Sequence, residues 1–82
     1  MTDRLELPTS YRRRATVYDV LPDVADMTWT IWDQGGCLGE ISSADGRWFW
    51  RHDSSDELSP AHATWQQATD ELIAALPDLR FD

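Results

Sequence analysis

The sequence predicts an α+β fold: an antiparallel meander of three or four strands with one amphipathic C-terminal helix packed on one face. Three observations carry this. Residues 27–52 alternate apolar and polar positions around two glycine-bearing turns, Gln34-Gly35-Gly36 and Ala44-Asp45-Gly46-Arg47. Residues 65–76 place their apolar side chains at helical spacing. Five tryptophans in 82 residues supply the apolar area for a small core. A chain of this length buries only a little more than about 60% of its unfolded surface, so one core and one domain are expected.

Residues 1–14 read as a flexible, arginine-containing tail, and residues 15–82 as the domain. The tail is polar, contains Pro8 and shows neither a strand nor a helix period. Ala15 to Leu21 alternates weakly, Val17 and Leu21 against Thr16, Tyr18 and Val20. Its β-branched and aromatic content favours an edge strand, which Pro22-Asp23 ends.

The meander proper consists of Met27 to Trp32, Cys37 to Ser42 and Trp48 to His52. Asp-Gly supplies the positive φ values of a two-residue type I′ loop, which sets Ile41 opposite Trp50 and Glu40 opposite Arg51. Directly opposed residues share a face. Ile41, Trp48 and Trp50 therefore line the core side, while Phe49, Ser42, Glu40 and Arg51 take the other, the last two as a cross-strand ion pair.

For the preceding turn, parity decides, because one residue more or less flips every side chain of the first strand. A three-residue loop of Gln34, Gly35 and Gly36 turns Met27, Trp29 and Ile31 inward, with Trp29 opposite Ile41 and Ile31 opposite Gly39. A two-residue loop turns them out. The longer loop is preferred. It places Cys37 on the core side with His52, and Trp32 and Leu38 on the open face.

Two helix starts compete: Ser59-Pro60, and Thr64-Trp65-Gln66-Gln67, which reads as a capping box and is preferred. Trp65, Ala68, Leu72, Ile73, Ala75 and Leu76 form the apolar stripe, and Pro77 ends the helix. Asp53 to Glu57 is an acidic loop.

Little in the chain suggests catalysis. The single cysteine, Cys37, excludes an internal disulfide, and with His52 and His62 it forms no zinc-ligand spacing. Asp53, Asp56 and Glu57 lack the alternation and central glycine of a calcium loop. No glycine-rich phosphate loop or nucleophile elbow occurs. No catalytic residue, metal or cofactor is expected, and the protein is read as not an enzyme. The first residues lack the apolar stretch of a secretory signal, and no window approaches a membrane span, so a cytoplasmic location is expected.

The formal net charge is −8. Residues 1–14 contribute +2, four arginines against Asp3 and Glu6, and the remainder −10. So acidic a body repels phosphate backbones.

A three-stranded meander backed by one helix, spanning residues 27–76, resembles in topology the small DNA-binding domains of certain plant transcription factors and the arm-binding domains of phage integrases. That resemblance rests on no specific motif. It implies DNA binding through an outer sheet face bearing Arg47, Phe49 and Arg51, with Arg12, Arg13 and Arg14 as a basic arm. Glu40 opposite Arg51 and the acidic body argue against it. The favoured expectation is a small acidic protein-binding module, an inhibitor or adaptor acting through Trp32, Leu38, Phe49, Arg47 and Arg51 on the open sheet face. Self-association falls within this expectation, and mimicry of nucleic acid by the acidic surface is its more specific version. A DNA-binding accessory protein with the Arg12–Arg14 arm is the alternative.

Overall fold

The computed structural model describes residues 6–24 and 27–75. Five antiparallel strands pair in sequential order: β1 (Ser10–Arg13), β2 (Thr16–Pro22), β3 (Thr28–Asp33), β4 (Gly36–Ala44) and β5 (Arg47–His52). One helix, α1 (Trp65–Ala74), follows. The expected meander is β3 to β5, and the candidate fourth strand is β2.

The fifth strand comes from the segment read as a tail. Ser10–Arg13 pairs with β2 through a two-residue turn in which Arg14 adopts φ 57°. What fixes this short polar strand is tertiary: Tyr11 faces inward, its ring 5.1 Å from that of Trp65 on α1. No local period could register a contact made so far along the chain.

The Asp45-Gly46 hairpin forms as expected, with φ of 54° and 75° at its two central residues. Trp50 lies opposite Ile41, and Arg51 opposite Glu40, as an ion pair. Upstream, Trp29 faces Ile41 and Ile31 faces Gly39, also as expected, but by a different device. The β3–β4 turn has only two loop residues, Gln34 and Gly35, since Asp33 pairs with Gly36. Asp33 accepts a 2.7 Å hydrogen bond from the Gly35 N–H, which closes the turn. The extra residue needed for parity is a β-bulge beside the Ile31/Trp32 step, where Trp32 faces Cys37 and Leu38 is left over.

That bulge exchanges two side chains. Leu38, expected on the open face, packs against the core, and Cys37, expected inside with His52, lies outside opposite Trp32. Met27, expected to be buried, is instead exposed at φ 57° just before β3.

The inner sheet face contributes Val20, Trp29, Ile31, Ile41 and Trp48 to the core, and α1 contributes Ala68 and Leu72. Trp50 and Trp65 pack half-buried against this cluster. Gly39 leaves room for the close approach of Leu72 and of the β5 backbone. Because β1 and β5, the two edge strands, both reach α1, the sheet curls around the helix. Its outer face is convex.

The helix starts at the Thr64 cap. Thr64 Oγ1 accepts from the Gln67 N–H at 3.1 Å, and Gln67 Oε1 accepts from the Ala63 N–H at 3.1 Å. Buried Thr69 satisfies its hydroxyl by donating to the Trp65 carbonyl at 2.8 Å. The helix closes at Ala74 with Ala75 as its C-cap, two residues ahead of the expected end at Leu76; Leu76 and Pro77 themselves lie outside the described residues. Ser59-Pro60, the competing start, has another role: Ser59 to His62 runs along the free edge of β5. Trp48 and His62 exchange backbone hydrogen bonds of 2.9 and 2.7 Å, and Ser59 N–H donates to Trp50 O at 2.9 Å.

Candidate functional site

Strand alternation places Arg12 of β1, Val17, Asp19 and Leu21 of β2, and Thr28, Thr30 and Trp32 of β3 on the outer face. Cys37, Glu40 and Ser42 of β4 join them, with Arg47, Phe49 and Arg51 of β5. α1 covers the other side, so this face is open.

Three large apolar side chains stand exposed on two adjacent strands here: Val17 at 56%, Leu21 at 43% and Trp32 at 36%. Among the described residues the other large exposed apolar side chains, Val24, Met27 and Leu58, lie in connections between elements. Trp32 is held in place. Its indole N–H donates to Thr30 Oγ1 at 2.8 Å, and that hydroxyl donates to the Leu21 carbonyl at 3.3 Å. The only polar atom of the ring is thus spent within the sheet, leaving the ring surface itself for contact.

Of the five side chains expected to form the contact, four share this face. Trp32 lies on β3; Arg47, exposed, Phe49, half-buried, and Arg51, half-buried, lie on β5. Leu38 does not belong, for the reason the bulge gives. Val17 and Leu21 were missed because β2 carries apolar residues on both faces. Alternation alone could not say whether Tyr18 and Val20 or Val17 and Leu21 point inward. Val20 settles it, being 1% exposed.

The three consecutive arginines do not form one arm. Arg12 lies on the outer face and donates Nε–H to the Arg14 carbonyl at 3.3 Å. Arg13 points the other way, its Nε 3.3 Å from Asp70 Oδ1. Arg14 occupies the turn.

Charge is unevenly divided. The outer face carries Arg12, Arg47 and Arg51 against Asp19 and Glu40, a net of +1. The other described residues carry Arg13 and Arg14 against nine acids, Asp56, Glu57, Asp70 and Glu71 among them, a net of −7; one of the nine, Asp53, borders the outer face at Cys37.

A shallow depression lined by Thr30, Cys37, Glu40, Arg51, His52 and Asp53 lies at the Cys37 corner of the face. Its chemistry is unfavourable to a nucleophile. Burial pushes the Cys37 thiol up from its ordinary range, and the Asp53 carboxylate pushes the same way. The Sγ lies 3.6 Å from the Gly39 carbonyl. The imidazole of His52 is engaged elsewhere, its Nε2 3.3 Å from the Leu72 carbonyl and its ring 4.9 Å from that of Trp50. Among the described residues no cluster of His, Cys, Asp and Glu could hold a metal ion, and no helix is long and apolar enough to cross a membrane. Comparison with protein-family models, curated proteins and solved structures returns no match for this chain.

Proposed function

We propose that this protein is a non-enzymatic, cytoplasmic protein-binding module that acts through the open face of its sheet. The observation carrying this reading is the exposure of Val17, Leu21 and Trp32 on one face of β2 and β3, where Val17 and Leu21 flank Asp19, the residue directly opposite Trp32. Partly exposed aromatics with arginine nearby are the composition of interaction hot spots. A Trp32 ring already fixed by Thr30 loses little rotamer freedom on binding. Arg47 and Phe49 extend the surface across β5, while Arg51 is engaged with Glu40.

Near-neutral charge on this face, set against the acidic remainder, favours a protein over a phosphate backbone as the occupant. The DNA-binding alternative is weakened at its arm, since Arg13 is tied to Asp70. The acidic surface away from the sheet supports the more specific version, in which clustered carboxylates engage a basic groove as nucleic acid would. Association of that kind weakens steeply with salt.

The double variant Trp32→Ser, Phe49→Ser tests the proposal. Affinity capture from the native host with wild-type protein recovers a partner that the folded variant does not. Capture of the same partner by the folded variant would contradict the reading, and loss of its native circular dichroism would mean that these rings belong to the core.

A further inference from the structure

We infer that the occupant of the outer face is a second copy of this chain, docked face to face; this rests on the reading of that face as a binding surface. Three observations point to it. First, the face is near neutral while the other described surface is strongly acidic. Two copies repel in most orientations, and joining their outer faces keeps the acidic surfaces apart. Second, the face carries both signs of charge. Arg12, Arg47 and Asp19 have no oppositely charged side-chain partner among the described residues, whereas Arg51 and Glu40 satisfy each other. A twofold axis makes every contact twice, so a face holding both signs can complement itself.

Third, neither sheet edge favours strand addition. Ser59 to His62 covers β5. At the other edge β1 is four residues long, follows Pro8, and carries Arg12, whose side chain folds back onto the Arg14 carbonyl. A second copy therefore meets the face.

Strand spacing and rise give a face of roughly 24 Å by 17 Å, or about 400 Å² per copy, against roughly 800 Å² per partner in a long-lived complex. Its convexity reduces the contact further. The dimer belongs to the transient class.

Sedimentation velocity on the full chain decides, run from about 5 to 500 µM protein at salt of about 50 and 500 mM. The expected result is a mass rising towards twice the monomer, with association equal or stronger at high salt as acidic repulsion is screened. Leu21→Lys and Trp32→Lys stay monomeric at concentrations at least about tenfold higher than wild type needs. Leu58→Lys, exposed but off the face, behaves as wild type. A wild-type protein monomeric throughout overturns the second copy and leaves the binding face to be judged by its own capture experiment. Dimers that persist in both outer-face variants place self-contact elsewhere and overturn the inference. Complete loss of association at high salt would mean that charge pairs alone hold the copies together, without the apolar side chains of the face, which also overturns it.

Discussion

Tyr11 and Asp70, 59 positions apart in sequence, are joined by a 2.8 Å hydrogen bond from the phenol to the carboxylate. The same Asp70 oxygen lies 3.3 Å from Arg13 Nε. Through these contacts an edge strand with little apolar content is held to the helix, and the sheet is drawn into its curl.

Tyr11→Phe should cost about 1 kcal/mol, the usual worth of one partly exposed hydrogen bond to a charged group. Asp70→Ala, which frees both Tyr11 and Arg13, should cost more. Urea unfolding measures both, and equal stability of all three proteins would show that β1 is held otherwise. A pH dependence follows too. Burial, followed by Asp70, raises the Tyr11 pKa above its ordinary value of 10.0. The unfolded chain therefore ionises first, and stability present below pH 10.0 is lost as pH climbs through the higher folded value. Tyr11→Phe should flatten this alkaline decline.

Gly39→Ala should destabilise by roughly 1–3 kcal/mol or more. Its methyl would overlap the Arg51 carbonyl oxygen and stand 3.0 Å from both the His52 Cα and Leu72 Cδ1. Relief requires β4 and β5 to separate, so thermal unfolding should show the loss. An unchanged midpoint would mean that the two strands are farther apart than described here.

The bulge predicts opposite outcomes for adjacent residues. Leu38→Ser removes an apolar side chain from the core and should cost roughly 1–3 kcal/mol. Cys37→Ser alters an outer-face position and should stay within about 0.5 kcal/mol of wild type. The reverse order would restore the three-residue loop. Native Cys37 should also react with a thiol reagent more slowly than free cysteine, because its pKa is raised from 9.0.

Ser59→Ala should open the β5 edge. The Ser59 hydroxyl accepts from the Trp50 N–H at 2.8 Å and donates to the Pro60 carbonyl at 2.8 Å. Its loss should cost about 1 kcal/mol and speed hydrogen exchange at the Trp50 amide. Unaltered exchange there would show that backbone pairing alone covers the edge.

The hairpin of β4 and β5 was legible in the sequence because Asp45-Gly46 admits few turn geometries and the register follows from it. The inward facing of Trp29 and Ile31 was legible for a different reason: two large side chains had to be buried. How parity was achieved was not. A three-residue loop and a two-residue loop with a bulge give the same register at Trp29, and they differ only at Cys37 and Leu38. Strand β1 was illegible, since its order comes from Trp65 and Asp70 at the far end of the chain. For the same reason the outer face gained Val17 and Leu21 only when β2 was placed between two strands.

The claim that the outer face is the contact surface is tested most directly by heteronuclear NMR of the indole N–H and backbone amide signals as the protein is titrated from dilute to concentrated. The signal of Trp32 and the amides of Val17, Leu21 and Phe49 should shift together, with those of Trp29, Trp48 and Trp65 unmoved. Shifts centred on Trp65 and the exposed side of α1, or a spectrum independent of concentration and of added captured partner, would contradict it.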